Sequence, residues 1–182
     1  MRTEVTRILL ISGSTRDGST NTAALRTIAA VAPPSVRADL YSGLRELPAF
    51  VPGDDPAGYP AVTALRADLA AADAVLICTP EYAGTLPGSI KNLLDWTVGT
   101  ADLYEKPTAW LTVAVPGRGG GAEATLSTVL GYVGAEVVES ACTRLPVLGA
   151  DVGDDGLVGS TEFRAGARRV LAELLAHVAR AA

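Results

Sequence analysis

A chain of 182 residues with 48% hydrophobic and 19% charged side chains buries one sizeable core, which excludes an intrinsically disordered protein. Its net charge of −5 comes without any basic block, which excludes nucleic acid as the main partner and leaves no polybasic attraction to a membrane surface. One histidine, His177, and two separated cysteines, Cys78 and Cys142, are too few ligands for a metal centre, so no metal site is expected.

The chain opens with "MRTEVTRILLISGS", in which a short apolar stretch runs straight into polar residues. A secretory signal needs a longer apolar region followed by a small-residue cleavage site, and a bilayer span needs about 18 apolar residues. A cytoplasmic protein with no membrane partner is therefore expected.

In chain order, the first apolar run of strand length is 7–11, followed by helical spacing over 21–31. A second run at 36–40 leads through a Pro- and Gly-rich loop, 51–60, to helical spacing at 61–72. A third at 74–79 precedes a helix at 88–98, and a fourth at 108–115 precedes one at 122–133. A fifth at 137–143 is followed by the long helix 161–180, whose Val170, Leu171, Leu174, Leu175 and Val178 form one apolar stripe. Strands that are apolar throughout and alternate with helices imply a parallel sheet covered on both faces. The expected fold is α/β: a three-layer, doubly wound, five-stranded parallel sheet. Neither an internal repeat nor a linker interrupts it, so residues 1–182 are expected to form a single domain. In this architecture ligands bind outside the carboxyl ends of the strands, where strand order reverses. The loops after strands one, three and four are the places to look.

The first of these is "SGSTRDGSTNT", residues 12–22, the densest cluster of hydrogen-bonding side chains in the chain. It leads into a helix N-terminus, whose free N–H groups and positive dipole end favour an anion. Hydroxyls of Ser14, Ser19 and Thr20, the Asn21 amide and the Arg16 guanidinium can converge there, with Gly13 and Gly18 allowing a tight turn. Ser19 stands where a nucleoside-triphosphate loop needs lysine, and G-x-G-x-x-G is missing, so a terminal monophosphate suits the loop better than a triphosphate or pyrophosphate. The alternative is a Ser/Thr-rich turn with an ordinary helix cap at Ser19 or Thr20.

"GSTRDGSTN" (13–21) together with "TPEYAGTLPGSIKNLLDW" (79–96) resembles the flavodoxin-like NADPH-dependent FMN reductases, a family that includes quinone, azo-dye and chromate reductases. The similarity runs from the first strand to the last helix. It implies that Ser14, Arg16, Ser19 and Asn21, with Thr20 nearby, hold the phosphate of FMN. It also implies that Pro80, Glu81, Tyr82, Ala83 and Gly84 follow the edge of the flavin ring, and that Pro116, Gly117, Arg118 and Gly119 close over its far side. Ala83 departs from the family, which usually has asparagine there, and Thr85 replaces a common serine.

Chemistry at the second loop stands apart from that resemblance. Backbone N–H groups in a strand-to-helix loop suit the acceptors of a flavin ring and the charge of its reduced form. Glu81 is expected to cap backbone donors or to cross a subunit interface rather than to transfer protons. Tyr82 is read either as a ring contact or as a half-buried loop aromatic. Trp96 is expected in the core or at an interface, and Lys91 with Asp95 as a solvated pair. In the third loop Gly117, Gly119 and Ala122 satisfy G-x-G-x-x-[GA], but a dinucleotide fingerprint normally follows the first strand, so that reading is set aside. Arg118 is a candidate for the phosphates of a nicotinamide nucleotide, or a solvent-facing arginine.

No catalytic side chain is expected, because Ser14 has no histidine partner and the cofactor carries the electron chemistry. The expected activity is NADPH- or NADH-dependent reduction of FMN, passed on by a ping-pong cycle to a small acceptor such as a quinone, azo compound, metal oxyanion or free flavin. The rival readings are a flavin-binding electron carrier or sensor, and a phosphate-handling protein that binds no flavin. The resemblance further implies a homodimer or homotetramer.

Overall fold

A computed structural model of the chain describes residues 5–181. Strands and helices follow one another as β1 (Thr6–Ser12), α1 (Thr20–Ala30), β2 (Val36–Tyr41), α2 (Pro60–Ala71), β3 (Ala74–Cys78), α3 (Gly88–Val98), β4 (Pro107–Thr112), α4 (Gly120–Tyr132), β5 (Glu136–Val137), β6 (Thr143–Arg144) and α5 (Thr161–Ala181). Every strand pair is parallel, in the order β2-β1-β3-β4-β5, with β6 on the same outer edge of β4 as β5. The chain runs outward from β1 to β2 and then returns past β1 to β3. That reversal opens the crevice between the carboxyl ends of β1 and β3.

The core lies on both faces of this sheet, which is why the central strands read as uninterrupted apolar runs. Ile8 and Leu10 of β1 face a layer built from α1 and α5, including Leu25, Ile28, Phe163, Leu171 and Leu174. Leu9 and Ile11 face the opposite layer of α2, α3 and α4, including Leu65, Leu69, Ile90, Leu93, Leu94 and Leu126. Each fully buried side chain of this kind contributes about 1.5–3 kcal/mol relative to exposure. The α5 stripe is as read from the sequence: Val170, Leu171 and Leu174 are buried, with Leu175 and Val178 partly covered beside them.

Two strands differ from expectation. The fourth stops at Thr112, and Val113 reaches the core from the loop beyond it. The fifth is broken: β5 and β6 are two residues each, separated by a 3₁₀ turn at Glu139–Ala141. Val138 still donates to the Thr108 carbonyl, and Leu145 to that of Thr112, so the ladder resumes after the turn. An edge position tolerates such a looped-out turn, because no further strand depends on the missing bonds.

The long loop after β2 is pinned rather than free. Asn92 Nδ2 and Trp96 Nε1 on α3 both donate to the Pro48 carbonyl at 2.9 Å, and Phe50 N donates to Asn92 Oδ1 at 2.8 Å. Trp96 is 3% exposed and packs edge-on to Phe50 with ring centroids 5.1 Å apart. It is a core residue, as one of the two sequence expectations for it had it.

Candidate functional site at the crown of the sheet

The first loop leaves β1 through Gly13, where a side chain is forbidden: an added Cβ would lie 2.2 Å from Thr79 Oγ1. This close approach draws the first loop against the end of β3. Ser12 and Thr22 hydroxyls share a bond of 2.8 Å across the loop, and Ser14 Oγ accepts from Arg16 N at 3.3 Å. Gly18 turns with φ of 65° and leads into Ser19, the N-cap of α1, whose Oγ accepts from Asn21 N at 3.2 Å. A serine cap of this kind is worth about 1 kcal/mol.

The sequence-predicted groups divide by direction. Arg16 is exposed, and Ser14 and Thr20 are half-buried at the mouth of the loop. Ser19 and Asn21 are buried. The Asn21 amide is turned inward, donating to Ser19 Oγ at 3.4 Å and accepting from Cys78 Sγ at 3.3 Å, so it ties the helix start to the end of β3. Burial pushes the Cys78 thiol far above its usual range, which keeps it a neutral donor in that contact. The N–H groups of Asp17, Gly18 and Thr20 donate to no acceptor among the described residues. Such a row of free amides at a helix N-terminus suits an anion.

Arg45, on a 3₁₀ turn at Gly43–Arg45 after β2, was not singled out by sequence reasoning. Its guanidinium reaches over the first loop, donating to the Thr15 carbonyl and pairing with Asp17 at 2.8 Å. No local signal marks it, because its partners lie 30 and 28 positions away. A cleft of about 530 Å³ opens on this β2 side, bordered by Arg16, Arg26 and Arg45.

The second loop holds a two-residue hairpin. Tyr82 and Thr85 exchange both backbone hydrogen bonds, at 3.0 and 3.1 Å, while Ala83 and Gly84 between them have φ of 51° and 75°. Two central residues in the left-handed region define a type I′ turn, for which Asn-Gly is the preferred pair. The asparagine usual at position 83 in the resembled family therefore has a conformational reason of its own. Tyr82 is 53% exposed. Lys91 and Asp95 form the expected pair on α3, at 2.6 Å.

Glu81 reaches across to α4. Its Oε2 accepts from Gly121 N at 2.7 Å and Ala122 N at 3.1 Å, which is the capping role named as one of its two expectations. Gly121 must be glycine for the two loops to meet, since an added Cβ would lie 2.0 Å from the Gly84 carbonyl oxygen. In the third loop Pro116, Gly117 and Arg118 are exposed, and Gly117 and Gly119 have φ of 82° and 85°. Arg144 on β6 braces this loop by donating to the Arg118 carbonyl and pairing with Glu123 at 2.7 Å. It too escaped the sequence reading. The amides that a dinucleotide would need at the start of α4 are already engaged by Glu81, which gives a physical reason for setting that fingerprint aside. His177 bonds Glu136 at 2.9 Å, and so stands apart from Ser14.

The loops after β1, β3 and β4 thus meet at one crevice, with an anion-ready turn on one side and exposed backbone on the other. Comparison with known proteins identifies the family. The family described as NADPH-dependent FMN reductase matches residues 6–144. An NAD(P)H-dependent FMN reductase of Pseudomonas aeruginosa is 38% identical over 91 residues, covering 50% of this chain and 49% of that protein. A quinone reductase of Escherichia coli is 35% identical over 95 residues, covering 51% and 50%. The chain thus spans about half the length of these curated relatives. Among solved structures, FerB, a flavoenzyme NAD(P)H:(acceptor) oxidoreductase from Paracoccus denitrificans, superimposes with a TM-score of 0.73 at 25% identity, over 95% of this chain and 99% of that one. With its sheet order, its first loop and most of its length accounted for in this way, the chain belongs to the NADPH-dependent FMN reductase family.

Proposed function

We propose that the protein binds FMN at this crevice and uses it to pass electrons from NADPH or NADH to a small acceptor. The observation that carries the reading is the first loop: three amides without an acceptor among the described residues, with Ser14 and the exposed Arg16 bordering one cleft beside the start of α1, at the reversal of strand order. The residues fit a singly phosphorylated group. A monophosphate needs several donors and one or two counter-charges, and Arg16 with the neighbouring Arg45 supplies them. FMN, when bound, supplies the hydride and electron chemistry.

The chain's own groups bind and orient. Ser14, Arg16 and Thr20 take the phosphate, while buried Ser19 and Asn21 hold the loop in shape from within. Within Pro80 to Gly84, where Pro80 has no N–H and the Tyr82 backbone is spent on Thr85, the N–H groups of Glu81, Ala83 and Gly84 serve the ring edge, and Pro116 to Gly119 line the far side. Tyr82 alone among these is aromatic and it is largely exposed, so one face of the ring stays open to the nicotinamide and then to the acceptor. Sequential use of one open face is a ping-pong cycle, and a quinone, azo compound, metal oxyanion or free flavin suits it as acceptor. One such domain spans residues 1–182, works in the cytoplasm where nicotinamide nucleotides are abundant, and assembles as a homodimer or homotetramer, which light scattering checks.

The test is FMN titration followed by flavin fluorescence, with NADPH and NADH oxidation measured against a quinone. Replacing Arg16 and Ser14 together by alanine removes one charge-assisted and one neutral donor, about 3 kcal/mol in all, so affinity should fall about 100-fold. Unchanged FMN affinity in that double variant refutes the phosphate assignment. Wild-type protein that binds FMN without turning over either nucleotide refutes the enzymatic reading.

A further inference from the structure

The carboxylate of Glu81 is committed to a helix terminus that is not its own. Gly121 and Ala122, whose N–H groups it accepts at 2.7 and 3.1 Å, lie in the first turn of α4, where unsatisfied donors and the peptide dipoles place a partial positive charge. The cap residue of α4, Gly119, has no side chain to do this. The one acid of that first turn, Glu123, is engaged by Arg144. Glu81 is therefore the sole side-chain acceptor for these amides among the described residues, and it comes from 40 positions away. The contact is held by geometry on both sides of it. Gly121 lies against the Gly84 carbonyl, and the Thr85 and Thr125 hydroxyls bond at 2.9 Å.

We infer that Glu81 is a positioning and tuning residue: from the second loop it caps α4, locking the second and third loops together and cancelling the positive helix end beside the ring. This rests on the proposed reading of residues 80–84 and 116–119 as the bed of the flavin. An uncapped helix N-terminus there would favour reduced flavin, which carries negative charge at its pyrimidine end. A site that over-stabilises the reduced form gives up its electrons reluctantly, so a neutralised helix end suits onward transfer. The same contact keeps a nucleotide phosphate away from α4 and directs it toward the first loop.

Glu81→Gln tests the electrostatic half, because an amide oxygen accepts both N–H bonds without the charge. Midpoint potentials of bound FMN are measured by equilibration with indicator dyes, alongside the affinity for oxidised FMN. The expected result is oxidised-FMN affinity within about threefold of wild type. Preference for the reduced form should rise by about tenfold, the size of a helix-end charge effect, which moves the two-electron potential by about +30 mV. A merely structural role would lower thermal stability and leave the potential alone. Glu81→Ala tests the positioning half in the flavin-free protein, where amide exchange at Gly121 and Ala122 should speed up at least tenfold. An unchanged or lowered potential in Glu81→Gln, with FMN bound normally, overturns the inference while leaving the proposed function intact. Unchanged exchange in Glu81→Ala overturns it as well. Wild-type protein that takes up no FMN overturns the function and the inference together.

Discussion

Replacing Ala83 by asparagine should stabilise the protein, although Ala83 is exposed and packs against no part of the core. Its φ of 51° places an ordinary side chain in the left-handed region, at the first central position of the Tyr82–Thr85 turn. That conformation costs an L-residue with a Cβ about 1–2 kcal/mol, and asparagine visits it with less penalty because its short side chain bonds locally. Ala83→Asn should therefore gain about 1 kcal/mol, or about 2–4 °C in Tm for a chain of this length. Ala83→Gly removes the strain completely but gives back about 0.4–1 kcal/mol in unfolded-chain entropy, so its gain should be smaller. Gly84→Ala provides the mirror image. Nothing lies within 4 Å of the added Cβ, so its strain of about 1–2 kcal/mol comes from φ of 75° alone, and the same entropy term offsets part of it to leave a net loss of about 1 kcal/mol. Calorimetric melts of the flavin-free protein, with urea midpoints as a second measure, give the ranking. A melting temperature for Ala83→Asn at or below wild type, or a neutral Gly84→Ala, would refute the assignment of strain to this turn.

If the first loop holds the FMN phosphate as proposed, Asp17 would compete with it for Arg45, so Asp17→Asn should tighten FMN binding by about threefold and Arg45→Ala should weaken it by a similar factor, the scale of an exposed ion pair. Fluorescence titration checks both, and weaker binding by Asp17→Asn contradicts the picture. Tyr41 is buried with its hydroxyl lacking a partner among the described residues, and burial, then Asp68 and Glu46, pushes its pKa from 10 up to about 12. The native state thus keeps a proton that the unfolded chain releases, so the stability held below pH 10 declines as pH rises from 10 toward 12. Tyr41→Phe should flatten that alkaline decline and, by removing an unpaired buried hydroxyl, raise stability at neutral pH by about 1 kcal/mol. Urea denaturation at pH 7 and pH 11 measures both effects, and an equal alkaline loss in Tyr41→Phe rejects the role of Tyr41.

Much of this molecule is readable from short windows of its sequence. The run at 7–11 is apolar throughout because both faces of β1 are covered, and the stripe Val170, Leu171, Leu174 has helical spacing because one side of α5 meets the core. These patterns depend only on near neighbours, so the α/β order, the covered sheet and the loops at its crown could be read in advance. Ser19 as helix cap belongs with them, since it acts on a residue two positions away. Tertiary structure alone decided the rest. An apolar run at 137–143 does not reveal that the edge strand breaks at Glu139–Ala141, because the break depends on what β4 leaves unpaired. Local spacing likewise cannot show that Glu81 ends on α4, that Arg45 spans the first loop, or that Arg144 braces the third. Each of these side chains is long, and its destination is chosen by which backbone groups the folded chain brings within reach from 26 to 41 positions away. Hydrophobic periodicity is a property of the segment, whereas the pairing of a charge with a distant helix end exists only once the sheet has set the two side by side.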